Sequence, residues 1–215
     1  RSTLFPYTTL FRSTNFMSEI GILGGTFDPF HLGHLSVLES AIEEADCEKI
    51  VLLPAKVNPF KIGKKMADDR HRLAMLEIIA DMYGNVEVSD FEIKEAKVSY
   101  TYHTLRSISR QRPDDRLHFI VGSDSLLSIE SWHKGDELLR EFSFILAPRP
   151  GFCTGKTADK LKELYIKYGT KIKVLNNRPV DVSSTEVRKA LKEGRSIERR
   201  SEEHTSELQS HELIS

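Results

Sequence analysis

Residues 20–34 read IGILGGTFDPFHLGH, and this stretch joins a short apolar run to a segment rich in glycine and histidine. The apolar run Ile20–Leu23 is typical of a buried strand. Gly24 and Gly25 follow at once, where glycine permits a positive φ and a close approach of backbone N–H groups to a ligand. Pro29 then precedes a helical pattern. The stretch therefore predicts a strand, a tight turn and a helix N-terminus that can bind an anion.

Two histidines, His31 and His34, stand at the start of this predicted helix. Residues three apart share a helix face, so both imidazoles would point at an anion held by the helix amides. A pair of histidines can also bind a metal, but zinc needs a third protein ligand, and none stands at a suitable spacing. A purely structural interpretation is that the glycines mark a turn and the histidines pack or cap. We expect no metal held by protein side chains.

Apolar segments and helical patterns alternate along the rest of the chain. The predicted strands are Ile20–Leu23, Lys49–Pro54, Val86–Phe91, Leu117–Val121, Phe142–Ala147 and Lys171–Leu175. The predicted helices are His31–Ala45, Asp69–Met82, Thr101–Arg110, Ser123–Ser131, Asp136–Arg140, Thr157–Tyr168 and Ser184–Glu193. Short apolar strands separated by helices are typical of a parallel sheet covered on both faces. The sequence therefore predicts a Rossmann-like, doubly wound α/β fold in a single domain, with its ligand beyond the carboxyl ends of the strands.

The composition of the chain limits the molecules that it is expected to bind. The chain has 215 residues, of which 39% are hydrophobic and 29% charged, as in a folded domain of ordinary size. Its formal net charge of -1 gives no overall positive field for nucleic acid or anionic lipid, and no apolar run approaches the roughly 20 residues of a membrane span. Cys47 and Cys153 lie far apart, as expected for small buried side chains in a reducing compartment. We expect a cytoplasmic protein that binds neither nucleic acid nor membrane, and its oligomeric state stays open, a homo-oligomer included.

Both ends of the chain differ in composition from the middle. Thr3–Ser13 and Arg200–Ser210 resemble the conceptual translation of sequencing-library adapters. We therefore interpret residues 1–16 and 199–215 as non-native tails around a domain that spans residues 17–198 and is truncated at its C-terminal end. Removing both tails leaves the net charge unchanged.

A second ligand-binding pattern lies near the end of this domain, in VSSTEVRKALKEG, residues 182–194. Ser183 and Glu186 have the spacing of a capping box, and Gly194 is a plausible end of the helix. The pattern predicts a second helix N-terminus facing a ligand, with Arg188 offering a fork of N–H groups suited to phosphate oxygens. Ordinary capping with a solvated arginine is the simpler alternative.

Taken together, the two patterns resemble the signature of the nucleotidyltransferase superfamily, and residues 21–194 resemble bacterial nicotinate-nucleotide adenylyltransferases. The resemblance extends to further motifs in the same order. They are Asn58-Pro59-Phe60-Lys61, Arg72-Leu73-Ala74-Met75-Leu76, Ser99-Tyr100-Thr101, Thr104-Leu105, Gly122-Ser123-Asp124-Ser125-Leu126 and Trp132. Two positions depart from the family pattern: Phe60 replaces a histidine, and His103 stands where an acidic residue is more usual.

The resemblance implies transfer of AMP from ATP to nicotinate mononucleotide, with Mg²⁺ accompanying ATP. It assigns phosphate contacts in catalysis to His31, His34, Lys61 and Arg188. It assigns ATP binding to Gly24, Gly25, Thr26, Phe27, Gly122, Asp124, Ser183, Ser184 and Thr185, and nicotinate mononucleotide binding to Thr101 and Trp132. Asp124 could instead be a helix N-cap and Trp132 a buried anchor.

Two alternative functions stay open from the sequence. One is a related nucleotidyltransferase, for instance one that acts on phosphopantetheine. The other is a nucleotide-binding sensor without catalysis. We assign no role to His71, His118 and His133, and interpret the charged run 68–72 as a helix start with a solvated face.

Overall fold

The computed structural model describes residues 17–57, 59, 66–95, 98–148, 155–176, 180 and 182–194. The two predicted tails, Lys61 and Cys153 lie outside this part of the chain. The strands are β1 (Glu19–Gly25), β2 (Lys49–Pro54), β3 (Val86–Val88), β4 (Arg116–Gly122), β5 (Ser143–Ala147) and β6 (Ile172–Val174). The helices are α1 (Leu32–Glu44), α2 (Asp69–Asp81), α3 (Phe91–Glu95), α4 (Thr101–Gln111), α5 (Ser123–Ser128), α6 (Gly135–Glu141), α7 (Gly155–Tyr168) and α8 (Ser184–Lys192).

The strands form one six-stranded sheet in the order β3-β2-β1-β4-β5-β6. Every neighbouring pair is parallel. Strands β2 and β3 therefore extend the sheet on one side of β1, and β4, β5 and β6 extend it on the other side. This confirms the predicted Rossmann-like sheet, and it places the reversal of strand order between β1 and β4.

Side chains from both faces of the sheet are buried. Alternate residues of β2 belong to different apolar clusters: Val51 and Leu53 pack into one, Ile50 and Leu52 into the other. This alternation confirms a sheet covered on both faces, because successive side chains of a strand point to opposite sides.

Most predicted bounds lie within two residues of the observed ones, and two lie three residues away. The strand predicted to reach Phe91 ends at Val88, and Phe91–Glu95 forms the short helix α3. The reason is local: the Ser89 hydroxyl accepts a hydrogen bond from the Phe91 N–H at 3.4 Å, and Asp90 forms an ion pair with Lys94 one turn later. The helix predicted over 123–131 is α5 followed by a 3₁₀ turn, Ile129–Ser131.

The expectations about membrane spans and cysteines can be compared with the structure only for the residues that it describes. In the described segments, no helix is both long and apolar enough to cross a bilayer. Cys47 is half-buried, and burial together with nearby Glu19 raises the pKa of its thiol to about 11. A thiol with so high a pKa is inert near neutral pH, consistent with the predicted packing role.

Candidate active site

A cavity of about 540 Å³ opens beyond the carboxyl ends of β1 and β4. Gly24 and Gly25 of β1 line it on one side, and Gly122 of β4 lines it on the other. This is the point at which the strand order reverses, and it is where ligands of open parallel sheets bind. The predicted crevice is therefore present.

His31 and His34 line this cavity and form a capping box at the start of α1. The Gly33 N–H donates to His31 Nδ1 at 3.1 Å, and the His31 N–H donates to His34 Nδ1 at 3.3 Å. The two rings lie close together, with centroids 3.8 Å apart and an interplanar angle of 32°. The histidines therefore cap the helix and also line the cavity, so the capping interpretation and the ligand-binding interpretation are compatible.

These hydrogen bonds give Nδ1 of each ring the role of an acceptor. A nitrogen that accepts a hydrogen bond carries no proton, so in the neutral ring the proton sits on Nε2. With Nδ1 as the acceptor, Nε2 is the nitrogen of each neutral ring that carries a proton and can donate it. A doubly protonated ring would lose its Nδ1 acceptor and leave a backbone N–H of the first turn unpaired.

The glycines act differently from the prediction. Neither Gly24 nor Gly25 has a positive φ; among non-glycine residues of this loop, Phe27 does, at 48°. A Cβ atom at Gly24 would lie 3.0 Å from the Phe119 ring, and one at Gly25 would lie 2.9 Å from the Phe27 ring. Close packing against two aromatic rings is what excludes side chains here.

Thr26 and Phe27 are not among the residues that line the cavity, and the ATP contacts that the resemblance implies for them stay predictions. Phe27 is buried at 1% exposure and its ring meets His34 edge-on, with centroids 5.1 Å apart. The Thr26 carbonyl oxygen accepts a hydrogen bond from Arg72 Nη1 at 2.7 Å. Both residues therefore shape the loop from behind.

The charged run 68–72 starts α2 as predicted, and Asp68, Arg70 and His71 are exposed. Arg72 does not belong to this solvated face, because it is 1% exposed. Its Nη1 donates to the carbonyl oxygens of Thr26 at 2.7 Å and Ala55 at 2.8 Å. Its Nη2 forms an ion pair with Asp69. Arg72 thereby fastens the loop after β1 to the chain leaving β2. The alternation of charges gave no signal for this, since the acceptors come from distant loops.

The second predicted helix N-terminus lies against the first. Arg188 of α8 donates through Nη1 to the Asp28 carbonyl oxygen, and that nitrogen is 3.6 Å from Asp28 Oδ2. The Ser184 hydroxyl donates to the Pro29 carbonyl oxygen at 3.1 Å. The predicted capping box of α8 is also present, with Glu186 N–H donating to Ser183 Oγ at 3.3 Å. Both signatures thus meet at one place in the fold.

The predicted residues divide into two sets. Those that line the cavity are Gly24, Gly25, His31, His34, Thr101, Gly122, Asp124 and Trp132. Those that pack beside it are Thr26, Phe27, Ser183, Ser184, Thr185 and Arg188; the Arg188 Nη2 group lies 3.3 Å from Thr185 Oγ1. Val180 and Val182, which precede α8 in the chain, also line the cavity.

The far wall of the cavity contains the start of α4 and the only tryptophan. Thr101 is the first residue of α4, and no side chain caps this helix. The Trp132 ring packs edge-on against Phe119, with centroids 6.4 Å apart, and is only partly buried. Asp124 lies in the first turn of α5, whose N-cap is Gly122, so the N-cap alternative for Asp124 is wrong. The Asp124 side chain is exposed at the wall of the cavity.

Sequence reasoning missed two residues of this wall, Glu92 and His133. Glu92 is 8% exposed, and burial raises the pKa of its carboxyl group against the lowering effect of hydrogen bonds from Thr104 and Ser99. Thr104 Oγ1 donates to Glu92 at 2.7 Å. Glu92 directly follows the predicted strand Val86–Phe91, and no helix was predicted there, so its place on a helix beside the cavity had no signal. In the described residues, no cluster of three or more His, Cys, Asp or Glu could hold a metal ion.

The parallel sheet with this cavity at its switch point defines a Rossmann-like α/β domain with a ligand site at the carboxyl ends of its strands. The cytidylyltransferase-like family model matches residues 22–190. The chain is 36% identical over 183 residues to the "probable nicotinate-nucleotide adenylyltransferase" of Clostridium botulinum strain Loch Maree, with 84% of this chain and 90% of that protein covered. A protein of the same name from Lachnoclostridium phytofermentans is 34% identical over 181 residues, with the same coverage.

The chain therefore belongs to the cytidylyltransferase-like family and, within it, to the nicotinate-nucleotide adenylyltransferases, as its two signatures predicted. Its fold is similar to that of the Plasmodium falciparum nicotinic acid mononucleotide adenylyltransferase. The form complexed with NaAD superposes with a TM-score of 0.71 at 24% identity, over 85% of this chain and 88% of that one. The form complexed with APC gives a TM-score of 0.68 at 22% identity, with the same coverage.

Proposed function

We propose that this protein transfers AMP from ATP to nicotinate mononucleotide, giving deamido-NAD and pyrophosphate in NAD biosynthesis. The observation that carries the proposal is the contact between α8 and the loop that leads into α1, made by Arg188 and Asp28 beside one cavity. Two helix N-termini and a guanidinium at one place supply donors and positive charge for a triphosphate. The names of the relatives and the NaAD bound to the Plasmodium enzyme support a dinucleotide product.

The chemistry needs few groups from the protein. A phosphate monoester with a second pKa of about 6 is largely dianionic near neutrality, so the acceptor phosphate can attack the α-phosphorus of ATP without a general base. Positioning in line and stabilising charge on the α-phosphate and the leaving pyrophosphate are then the main requirements. Donors and cations meet both of them.

His31 and His34 are suited to stabilising charge on the α-phosphate. Their Nδ1 atoms are occupied by the capping box, so their Nε2–H groups would donate to phosphate oxygens. Because the donors are held by the helix start, little reorganisation is needed as charge develops on the phosphate. We assign the α-phosphate to this pair.

Arg188 would hold the β- and γ-phosphates, since its guanidinium stands at the edge of the same site. Lys61 would add a second cation. Mg²⁺ would enter as part of the substrate, bound by ATP phosphates and water with few protein ligands. Asp124, Gly122 and the loop after β1 would hold the nucleotide.

The opposite wall suits the acceptor. Trp132 offers a partly exposed indole face for a pyridine ring, and the uncapped first turn of α4 at Thr101 offers N–H groups for a carboxylate. The volume of about 540 Å³ lies within the range of small-molecule sites. We expect the protein to work in the cytoplasm.

A coupled pyrophosphate-release assay tests the proposal. The protein is supplied with MgATP and, in parallel, with nicotinate mononucleotide, nicotinamide mononucleotide or phosphopantetheine. We expect the fastest release with nicotinate mononucleotide and a dinucleotide product by mass spectrometry. Faster release with phosphopantetheine would replace the proposed acceptor. Binding of ATP without release in any arm would favour a nucleotide sensor.

A further inference from the structure

Three aromatic side chains form a cluster at the acceptor end of the cavity. The His133 ring stacks on Tyr100 with centroids 4.5 Å apart, and it lies 4.9 Å from the His103 ring. His103 Nε2 and His133 Nε2 are 2.9 Å apart, within hydrogen-bond distance. His133 lines the cavity together with Thr101 and Trp132, whereas His103 lines a shallow depression next to it.

The hydrogen bond between two imidazoles restricts their protons. One Nε2 must carry a proton and the other a lone pair. If His103 donates, the proton of neutral His133 sits on Nδ1 and that nitrogen is a donor. One further proton converts the pair into a shared cation without breaking the N–H···N contact. The pair can therefore be neutral or singly positive in one geometry.

The surroundings of His103 disfavour its protonated form in the free protein. Burial, the neighbouring His133 and the Lys134 ammonium all hold the pKa of His103 below its usual value. Other titratable or charged groups face the pair from the surrounding elements: Tyr100 and Tyr102 around the start of α4, Glu92 and Glu95 of α3 across the depression, and Asp124 of α5 across the cavity. A carboxylate placed beside the pair would raise its affinity for a proton, whereas a neutral amide would not.

We propose that His133, held in place by His103, is a specificity-determining residue that favours a pyridine mononucleotide with a ring carboxylate over the corresponding carboxamide. The inference rests on the proposed function, because it places the pyridine ring against Trp132 and the carboxylate toward Thr101 and His133. Binding of the acid then draws a proton onto the His103–His133 pair. The amide binds without this proton uptake.

Steady-state kinetics with both mononucleotides test the inference. The wild-type protein, His133→Gln and His103→Gln are compared at several pH values between about 6.5 and 8.5, a range that brackets ordinary histidine titration. His71→Gln is the matched control, since His71 is exposed on α2 outside the cavity. The KM for ATP is measured in every variant as an internal check on the fold.

In the wild-type protein, we expect the KM for nicotinate mononucleotide to fall as the pH is lowered, relative to the KM for nicotinamide mononucleotide. Comparing the two KM values cancels the effect of phosphate titration, because both mononucleotides carry the same phosphate group. In His133→Gln, the acid-to-amide ratio of kcat/KM should fall about tenfold, as for loss of one charge-assisted hydrogen bond, and its pH dependence should disappear. His103→Gln should lose the pH dependence and retain part of the ratio. The KM for ATP should not change.

An unchanged ratio in His133→Gln, or an equal loss with both mononucleotides, would overturn the inference and leave the proposed function intact. A pH-independent wild-type ratio would also overturn it. Turnover of neither mononucleotide by the wild-type protein would instead refute the proposed function, and the specificity role with it.

Discussion

The guanidinium of Arg188 donates a hydrogen bond to the main-chain carbonyl oxygen of Asp28, 160 residues earlier in the chain. The same guanidinium nitrogen lies 3.6 Å from Asp28 Oδ2, and the Asp28 side chain is almost fully covered. Asp28 Oδ1 in turn accepts a hydrogen bond from the Ala67 N–H at 3.2 Å. One residue thus connects the loop after β1 to α8 and to the segment before α2.

His31→Asn separates the two roles of His31. An asparagine side chain is a strong N-cap and can replace Nδ1 as the acceptor of the Gly33 N–H, but it removes the Nε2–H donor. We expect a free energy of unfolding within about 0.5 kcal/mol of the wild type. Turnover should fall about 10²–10³-fold, as for other lost donors to developing charge. Urea unfolding and the pyrophosphate assay measure the two quantities.

Glu43→Gln is the control for this substitution, because Glu43 is exposed near the other end of α1. Its stability and turnover should match the wild type. Full turnover in His31→Asn would remove His31 from the chemistry and leave it as a cap.

Gly24→Ala should destabilise the fold by about 1–3 kcal/mol, because its Cβ would lie 3.0 Å from the buried Phe119 ring. Gly84→Ala is the matched control, since no atom lies within 4 Å of the Cβ position there. Urea denaturation of both variants gives the comparison. Equal stabilities would show that the Phe119 ring yields without cost, contrary to the close packing described for this strand.

Arg72→Met should cost about 3–5 kcal/mol of folding stability, as for removal of one partner from a buried ion pair. Methionine fills much of the space but donates no hydrogen bond to the carbonyl oxygens of Thr26 and Ala55. Arg70→Met, at an exposed position on the same helix, should stay within about 0.5 kcal/mol of the wild type. Chemical denaturation measures the stability of both variants. A small loss of stability in Arg72→Met would mean that the two loops stay together without the Arg72 side chain.

Glu92 makes stability depend on pH. Burial raises the pKa of its carboxyl group in the folded state, so the folded protein binds this proton more tightly than the unfolded chain. Its contribution to stability is therefore full below the unfolded pKa, about 4.3, and is lost as the pH rises through the folded value. Glu92→Gln stays neutral throughout. We expect the stability of Glu92→Gln relative to the wild type to increase from about pH 4 to about pH 8.

Thermal unfolding at several pH values measures this difference. Glu95→Gln is the control, because Glu95 lies exposed on the same short helix. It should show no such trend. A stability difference for Glu92→Gln that does not vary with pH would contradict the assigned burial effect.

The fold could be predicted from strand spacing. Lys49–Pro54 has the predicted bounds, since an apolar run between polar ends contains the signal for a buried parallel strand. The strand at Val86 was predicted too long, because Ser89 and Asp90 turn the chain through contacts that apolar periodicity does not record. Local hydrogen bonding decided that boundary.

The site could be predicted in part. His31, His34 and Arg188 were selected by residue type and by position at helix starts, features that a sequence displays. Arg72 was misread and His133 was given no role, because each acquires its environment from segments distant in the chain. A buried arginine and a surface arginine look alike in sequence when their acceptors are main-chain carbonyl oxygens.

The most direct test of the central claim is a double-mutant cycle on His34 and Arg188, with kcat/KM for ATP measured in the pyrophosphate assay. If both side chains act on one triphosphate, each single alanine variant should lose about 10²–10³-fold, and the double variant should lose clearly less than the product of the two losses. Lys189→Ala, exposed on α8 beside Arg188, should retain wild-type kinetics. Losses that multiply without coupling, or full activity in either single variant, would contradict the claim.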